Sequence, residues 1–387
     1  MKNILTLNAI SNVIDDVFND TYNIGSSVES PVGILLRSFK MHDYVLDKET
    51  IAIARAGAGV NNIPIEKYAE QGVVVFNTPG ANANAVKELV LAGLLMASRN
   101  VMMASDWVKT LKGQGDEVGK LVEKGKASFS GKEIKGKKLG VIGLGAIGAL
   151  VANSAIDLGM EVIGYDPFLS VANALKLHSS VKIVNELTDL CKKSDYITIH
   201  IPYIESQNKG LINAGLIRKM KDGAILINCA RGEIVDNNDV LKAIESGKLA
   251  KYVVDFPSDQ LIGEKNVICI PHLGASTEEA EDNCAIMASK QLIDYIENGN
   301  VVNSVNYPNC SMPRSTETRL VILHKNVNNI IAHITTCLGN EKINIANLAN
   351  KSKGEYAITI IDTDSPVSND TVETILKEES IIKVRQI

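Results

Sequence analysis

The sequence predicts an α/β protein with two doubly wound parallel-sheet domains and a small α/β module at its C-terminus. Two observations carry this prediction. Short runs rich in β-branched residues alternate with longer stretches of helical period, which is the pattern of a parallel sheet flanked by helices. Residues 320–387 follow a compact β-α-β-β-α-β order instead, which indicates a separate module.

Length and composition agree with several globular domains. A chain of 387 residues is too long for one ordinary hydrophobic core. The formal net charge of −5 argues against a general nucleic-acid binder. The six cysteines are scattered without a CxxC pair, so we expect reduced thiols and no metal site. The N-terminus has no signal-peptide core and no apolar run is long enough for a membrane, which favours a cytoplasmic protein.

The elements follow in chain order. Early strands are expected at residues 32–38, 50–57 and 73–79, before a long helical pattern over residues 84–103 that is a candidate subunit contact. Residues 306–319 mix Pro, Ser, Asn and Arg without periodicity and are expected to form a linker. Further strands at βαβ spacing are expected within residues 138–148, 161–167, 196–202, 224–230, 252–256 and 267–272.

The hexamer GLGAIG follows a buried strand and opens a helix, which is the context that a dinucleotide site requires. Gly143 permits the tight turn, Gly145 lets the backbone approach a pyrophosphate, and Gly148 lets helix and strand pack closely. Ala146 and Ile147 begin the helix, whose free N–H groups face the phosphates. This motif predicts that the domain is Rossmann-like.

Asp166 ends the next strand, about 20 residues further on, where a carboxylate binds the ribose hydroxyls of adenosine. Its charge would repel a 2′-phosphate, and the adjacent Pro167 and Phe168 supply no compensating cation. We therefore expect NAD rather than NADP.

Two later strand ends carry candidate catalytic side chains. Arg231 follows the strand AILI, and its guanidinium can clamp a carboxylate through two parallel hydrogen bonds. An exposed Arg paired with Glu233 is the alternative. His272 follows VICIP, and an imidazole suits proton removal from an alcohol because its pKa lies near neutrality. A polar residue at a surface turn is the alternative for His272.

Five motifs in fixed order resemble the D-isomer-specific 2-hydroxyacid dehydrogenases. They are ARAGAGVNNIP, NTPGANANAVKEL, GLGAIG, CARGEIVD and PHLGAST, and the match runs over roughly residues 32–305. The resemblance implies that His272 is the general acid/base and that Arg231 holds the substrate's carboxylate and C2 oxygen. The further residues that it implies for the cofactor site are His200, Ile201, Pro202, Cys229, Ala230, Asp255 and Gly274.

The family's third catalytic residue is a Glu in a stretch that usually reads DVFxxEP. This chain has VVDFPSDQ, which is one residue shorter, and the acid available is Asp259. The resemblance implies that Asp259 orients His272, although Asp is one methylene shorter than Glu. A solvated loop residue is the alternative.

The resemblance implies 3-phosphoglycerate as the substrate and L-serine biosynthesis as the context. A substrate with both a carboxylate and a phosphate needs several cations, and we expect Arg37 and Arg55 to contact them. Lys40 is a further cation, for which a solvated position is an equal alternative. The backbone groups expected beside the carboxylate are those of Ala58, Gly59 and Val60.

Other functions remain open within and beyond the family. A hydroxypyruvate or glyoxylate reductase, or another D-2-hydroxyacid dehydrogenase, would act without a phosphate on the substrate. A dinucleotide-sensing, corepressor-like interaction protein would use the same scaffold without chemistry.

Residues 320–387 resemble an ACT domain, a ferredoxin-like module that binds amino acids in enzymes of amino-acid metabolism. The resemblance implies L-serine as an effector, with contacts from His324, Asn326 and Asn344. Asn328-Asn329 stands where the family usually has Pro-Gly, and Asn tolerates left-handed backbone angles. A ligand-free dimerisation module is the alternative.

The expected layout has a split substrate-binding domain of residues 1–82 and 274–305. An NAD-binding domain of residues 83–273 is inserted in it, and hinge motion is expected to close a cleft around the substrate. The linker of residues 306–319 leads to the ACT domain of residues 320–387. We expect a homodimer or homotetramer, a small-molecule substrate, and neither nucleic acid nor membrane as a partner.

Overall fold

A computed structural model describes all 387 residues. They form two compact units, one of Met1–Asn82 with Glu278–Ile387 and the other of Ala83–Thr277. The first unit thus contains residues 320–387 together with the N-terminal segment. None of the helices combines the length and the apolar character that crossing a membrane requires.

The first unit begins with a five-stranded parallel sheet of order β2-β1-β3-β4-β5. The sequence predicted β3 to β5 but missed β1 and β2, in which polar residues interrupt the apolar run and burial is partial. The elements are β1 (Lys2–Leu7), β2 (Tyr22–Gly25), β3 (Gly33–Leu36), β4 (Ala52–Arg55), α1 (Ile65–Glu70) and β5 (Val74–Phe76).

The second unit contains a seven-stranded parallel sheet of order β12-β11-β10-β9-β6-β7-β8. Strand order reverses around β6, and ligands bind at such a switch point, outside the carboxyl ends of the strands. The helices are α2 (Ala83–Arg99), α3 (Val101–Lys109), α4 (Val118–Gly125), α5 (Ala146–Asp157), α6 (Val171–Ala174), α7 (Leu187–Lys193), α8 (Glu205–Asn208), α9 (Ala214–Ile217) and α10 (Asn237–Glu245). The strands are β6 (Lys138–Ile142), β7 (Glu161–Tyr165), β8 (Lys182–Ile183), β9 (Tyr196–Ile199), β10 (Ala224–Asn228), β11 (Leu249–Val254) and β12 (Val267–Cys269).

Both faces of this sheet are buried, which explains why its central strands read as continuous apolar runs. Leu226 and Val254 belong to the apolar cluster on one face, whereas Ile227 and Val253 belong to the cluster on the other. Successive residues therefore enter opposite cores, as the period of a strand requires.

The single helix predicted over residues 84–103 is two helices. α2 ends at Arg99, Asn100 has a left-handed φ of 50°, and α3 begins at Val101. Asn adopts this backbone region more readily than apolar residues do, so one polar position is enough to interrupt an apolar helical pattern.

The first unit resumes with a long helix and a four-stranded antiparallel sheet of order β14-β15-β13-β16. The α/β class, the parallel sheets and this C-terminal β-α-β-β-α-β order confirm the predicted fold class. The elements are α11 (Glu278–Asn298), β13 (Thr318–Lys325), α12 (Ile330–Asn340), β14 (Ile345–Lys353), β15 (Tyr356–Thr363), α13 (Asn369–Leu376) and β16 (Ile381–Gln386).

The segment expected as a linker is packed into the protein. It contains no helix or strand before β13, yet Tyr307, Cys310 and Met312 are buried. They share one apolar cluster with Leu323 and Ile358 of the antiparallel sheet and with residues of the N-terminal sheet. The irregular backbone follows the shape of that core rather than crossing solvent.

Candidate active site

The residues that the sequence singled out for the cofactor and for catalysis lie at the carboxyl edge of the seven-stranded sheet. Parallel strands place their carboxyl ends on one edge, so these side chains come from neighbouring strand ends. They are Gly143 after β6, Asp166 after β7, His200 after β9, Arg231 after β10, Asp255 after β11 and His272 after β12.

The glycine turn after β6 has the geometry that its spacing predicted. Gly143 has a φ of 90°, and its N–H donates to the carbonyl of Tyr165 at 2.8 Å. A Cβ atom on Gly148 would lie 1.9 Å from the carbonyl oxygen of Gly143, so α5 packs directly on the turn. A Cβ atom on Gly145 would meet nothing within 4 Å. The turn is therefore closed on the protein side and open at the start of α5, which fits a pyrophosphate.

Asp166 bridges this turn and its own strand end. One carboxylate oxygen accepts from the N–H of Leu144 at 2.9 Å, and the other accepts from the N–H of Phe168 at 2.9 Å. Each oxygen retains a further lone pair, which a ribose hydroxyl can use. No Lys or Arg forms an ion pair with Asp166, so its charge stands uncompensated beside the turn.

His200 is a neutral imidazole at this edge. Burial lowers the pKa of His200 to about 3. One ring nitrogen lies 2.9 Å from the hydroxyl of Thr198, and the backbone N–H donates to Ile142 at 2.7 Å. The side chain of Ile201 lies against Gly143, whereas Pro202 is exposed. A second base at position 200 is thus not supported by the geometry.

The turn after β10 presents Arg231. Its Nη1 donates to the carbonyl of Ala230 at 2.7 Å, and its guanidinium forms no ion pair, with Glu233 or with any other acid. Burial raises the pKa of the neighbouring Cys229 to about 12, so that thiol stays protonated. The chain thus offers an Arg side chain without an acidic partner.

Asn228 organises the same turn and was not among the predicted site residues. It is completely buried, and its Nδ2 donates to the carbonyl of Arg231 at 2.9 Å. Its Oδ1 accepts from the N–H of Ala230 at 3.1 Å. An Asn closing an otherwise apolar buried strand is the sequence signal that could have found it.

His272 is exposed and lies in a strained turn. Its φ is 54°, a region that costs a residue with a Cβ atom about 1 kcal/mol or more. Its ring centroid lies 4.7 Å from that of Phe256. The carboxylate of buried Asp255 accepts from the N–H groups of Leu273 at 2.7 Å and Gly274 at 2.9 Å, and so holds the turn. Burial raises the pKa of Asp255, and these two hydrogen bonds offset only part of that rise.

Asp259 does not contact His272, in contrast to the predicted contact. It is exposed and forms no hydrogen bond or ion pair with the imidazole. The N–H groups of Leu261 and Ile262 donate to the carbonyl of Ser258, so the shortened loop closes on itself. The acid that acts on the His272 turn in this structure is Asp255.

The expected substrate residues lie in the first unit and are tied to neighbouring groups. Arg37 forms a 2.6 Å ion pair with Glu281. Arg55 donates from Nε to the carbonyl of Arg37 at 2.8 Å and from Nη1 to the carbonyl of Gly59, which fixes the loop of residues 55–60. Lys40 is exposed and forms no ion pair. The carbonyl of Ala58 accepts from Asn77, and Val60 is partly exposed.

The three expected effector residues do not meet within one chain. His324 is buried, and its ring nitrogens lie 2.8 Å from the Lys325 carbonyl and 2.9 Å from the Thr359 hydroxyl. It pairs with Ala357 on β15, whereas Asn344 precedes Ile345, which pairs with Thr363. Six residues of strand separate the two positions by about 20 Å. Asn326 lies at the His324 end, and its Nδ2 donates to Gly354.

No group of three or more His, Cys, Asp or Glu side chains could hold a metal ion, and all six cysteines are free thiols. One sheet edge carries the glycine turn, the neutral and partly buried imidazole of His200, the exposed imidazole of His272 and the guanidinium of Arg231, which forms no ion pair. Groups of this kind can remove a proton and bind a carboxylate beside a bound dinucleotide, which is the chemistry of an NAD-dependent oxidoreductase.

Comparison with known proteins identifies the family. The family model for the NAD binding domain of D-isomer specific 2-hydroxyacid dehydrogenases matches residues 91–274. A D-3-phosphoglycerate dehydrogenase of Haemophilus influenzae is 32% identical over 347 residues, which cover 87% of this chain and 80% of that protein. The chain belongs to the D-isomer specific 2-hydroxyacid dehydrogenase family, as its motifs predicted, and the prediction of NAD is confirmed.

Two further relatives extend the comparison. A D-3-phosphoglycerate dehydrogenase of Methanocaldococcus jannaschii is 35% identical over 289 residues, or 73% of this chain. The chain spans about half of that relative's length, 52%. The crystal structure of an NAD⁺-bound 3-phosphoglycerate dehydrogenase of Entamoeba histolytica matches with a TM-score of 0.61 and 25% identity. That match covers 79% of this chain and 98% of the crystallised one.

Proposed function

We propose that the protein oxidises 3-phosphoglycerate to 3-phosphohydroxypyruvate, the reaction that opens L-serine biosynthesis. The observation that carries the proposal is that Arg231, which forms no ion pair, lies on the same edge of the sheet as the exposed His272. Two groups of that kind can bind a 2-hydroxy acid and remove its hydroxyl proton. The names of the relatives favour a phosphorylated substrate within that class.

The chain's own residues would divide the work as follows. Bound NAD supplies the acceptor for a hydride. Arg231 holds the substrate carboxylate through its free N–H groups, which fixes the C2 carbon. The imidazole of His272 takes the C2 hydroxyl proton as that carbon loses its hydride, and returns a proton in the reverse direction. Asp255 keeps the His272 turn in its left-handed conformation, and Asp259 has no part in this scheme.

The cations for the phosphate would come from Arg37 and Lys40. Arg55 supports them indirectly, because one of its N–H groups holds the backbone carbonyl of Arg37 and another holds that of Gly59 in its own loop. Replacing Arg55 would therefore disturb both phosphorylated and unphosphorylated substrates. Replacing Lys40 with Met distinguishes phosphorylated from unphosphorylated substrates, since Lys40 is exposed and forms no ion pair that holds the fold.

The test is NADH formation with 3-phosphoglycerate, beside NADH consumption with hydroxypyruvate and with glyoxylate. We expect 3-phosphoglycerate to give the highest kcat/KM, and His272→Asn to lower it by about 10²–10⁴-fold. Lys40→Met should raise KM for 3-phosphoglycerate alone. Activity restricted to the unphosphorylated acids would replace this proposal with a hydroxypyruvate or glyoxylate reductase.

We also propose that L-serine inhibits the enzyme through the C-terminal module, an ACT-like domain. Because Asn326 and Asn344 lie at opposite ends of the sheet, one serine can meet both only if two chains supply them. His324 would support Asn326 from within the core rather than bind serine itself. Serine should lower the initial rate, and Asn344→Ala should relieve that inhibition, whereas the exposed Asn340→Ala should leave it unchanged.

A homodimer or homotetramer is part of the same proposal. Helices α3 and α4 bury no residue, and α3 exposes Val101, Met102, Met103 and Val108 to solvent. Apolar patches of this kind favour a subunit contact. Light scattering should give the mass of a dimer or larger, and Met103→Asp should lower it. A monomeric wild-type protein would contradict the assignment.

A further inference from the structure

Asn228 is an unusual residue for its position, because it closes a strand whose five residues are all buried. Burying an amide without hydrogen bonds is unfavourable, so the partners of this side chain indicate what it does. The ladder bonds of β10 to β9 and β11 use backbone atoms and do not need this side chain. The side chain instead serves the turn that follows.

The nitrogen and the oxygen of the amide each form a hydrogen bond with a different backbone group of that turn. Nδ2 donates to the Arg231 carbonyl at 2.9 Å, and Oδ1 accepts from the Ala230 N–H at 3.1 Å. A second contact of Nδ2, at 3.4 Å, reaches the hydroxyl of buried Tyr252. The Asn amide offers a separate donor and acceptor, one for each of these two backbone groups. The backbone of Arg231 is thereby fixed from inside the sheet.

The same residue connects the Arg231 turn to the His272 turn. Its carbonyl accepts from the N–H of Asp255 at 3.0 Å. Asp255 in turn holds the two residues after His272 through its carboxylate. A chain of hydrogen bonds thus runs from the backbone of Arg231 through Asn228 and Asp255 to the His272 turn.

We infer that Asn228 is a positioning residue that sets the guanidinium of Arg231 relative to the imidazole of His272. The inference rests on the proposed function, since it gives those two side chains their roles. Misplacing a binding group by about 1 Å can cost about 100-fold in rate, so the effect of losing Asn228 is measurable.

Two substitutions test the inference. Asn228→Asp keeps the size and the acceptor towards Ala230 but replaces the donor that faces the Arg231 carbonyl. Asn228→Ser is neutral and small, and it covers the case in which a buried carboxylate prevents folding. Each should lower kcat/KM for the hydroxy acid by about 10–100-fold. The affinity for NADH, measured by fluorescence, should fall much less than kcat/KM does, because the glycine turn is untouched and only the contact near Ala230 is altered.

A double-mutant cycle with Arg231→Ala gives the decisive readout, with enzyme in excess so that slow turnover is measured. If Asn228 acts through Arg231, either substitution should change the rate of Arg231→Ala by less than about twofold. Equal losses in both backgrounds, or a parallel loss of NADH affinity, would overturn the inference. Asn238→Asp, an exposed position in α10, is the matched control and should change nothing.

The cycle also separates this inference from the proposed function. It is run on whichever 2-hydroxy or 2-oxo acid the wild-type enzyme turns over best. Rejection of 3-phosphoglycerate together with a non-additive cycle on hydroxypyruvate would sink the substrate assignment and leave Asn228 in its role. Turnover of 3-phosphoglycerate with an additive cycle would support the substrate assignment and overturn the role of Asn228.

Discussion

The guanidinium of Arg37 lies 2.6 Å from a carboxylate oxygen of Glu281, on the first turn of α11. Both side chains are partly exposed, at 36% and 43%. The cation expected to meet an anionic substrate is therefore already occupied by an acid of its own unit. A substrate phosphate or carboxylate would compete with Glu281 for Arg37.

Replacing Glu281 with Gln should release Arg37 and lower KM for 3-phosphoglycerate by about 2–5-fold, the range that a partly exposed ion pair allows. The value of kcat should change little, because Glu281 touches none of the reacting groups. Steady-state kinetics measure this, with the exposed neighbour Glu279→Gln as the control. A KM that rises in Glu281→Gln would mean that the ion pair orders Arg37 for binding rather than competing with it.

Alanine substitutions of two glycines in the same motif should have different effects on stability and on NADH affinity. A methyl group on Gly148 would collide with the Gly143 carbonyl at 1.9 Å, so Gly148→Ala should lower the melting temperature as well as NADH affinity. A methyl group on Gly145 meets no protein atom, so Gly145→Ala should fold normally and lose about tenfold or more in NADH affinity. Thermal unfolding and NADH fluorescence titrations measure both. Unchanged affinity in Gly145→Ala would mean that the cofactor does not approach this backbone.

The parts of the fold that the sequence predicted depend on local rules. The spacing of Gly143, Gly145 and Gly148 fixes a strand, turn and helix within one short segment, and buried parallel strands read as apolar runs. The parts that the sequence missed depend on contacts with residues that are distant in the sequence. β1 and β2 form because they pair with neighbouring strands of the sheet, although each contains both polar and apolar residues.

The same distinction holds at the candidate site. Residue type and order identified Arg231 and His272 as strand-end side chains. Which acid reaches the His272 turn depends on the path of a loop, and the sequence favoured Asp259 where the structure places Asp255. The role of Asn228 depends on which backbone groups a turn brings beside it, and a one-dimensional pattern does not contain that information.

Asp259→Asn should leave both kcat/KM and its pH dependence unchanged, because Asp259 is exposed and does not touch His272. Asp255→Asn should lower kcat/KM, since an amide NH₂ cannot accept from a backbone N–H and one of the two bonds to residues 273–274 is lost. Rates across the pH range measure both variants. A shifted profile in Asp259→Asn alone would restore the family's third catalytic residue at this position.

His200 should make folding sensitive to acid. Burial lowers the pKa of His200 to about 3, whereas the unfolded chain binds that proton near the ordinary histidine pKa of 6.5. Between these values the unfolded state holds more protons, so stability falls as pH falls through this window, by at most about 1.4 kcal/mol per pH unit. Urea unfolding at about pH 7 and about pH 5 should show a smaller loss in His200→Gln than in the wild type. The exposed His42→Gln is the control and should behave as the wild type.

Arg319 and Asp362 form a bidentate ion pair with both side chains fully buried, at 2.6 and 2.9 Å. The remaining Nη1 of Arg319 donates to the carbonyls of Asn298 and Met312, which ties α11 to the antiparallel sheet. Burial alone would raise the pKa of Asp362, but hydrogen bonds from Arg319 and Ser315 outweigh it and lower the pKa. The stability that this pair contributes is thus present above the unfolded pKa of an aspartate and is lost only in stronger acid.

Removing one member of the Arg319–Asp362 pair should leave the other as a buried charge without a partner. Arg319→Met should lower the free energy of unfolding by about 3–5 kcal/mol at neutral pH, whereas Arg319→Met with Asp362→Leu should recover part of that loss. Urea unfolding measures both, and Lys325→Met, which breaks the exposed pair with Glu355, should cost less than about 1 kcal/mol. A double variant less stable than Arg319→Met would mean that Asp362 is held mainly by its bonds to Ser315, and that the ion pair is not what joins α11 to the sheet.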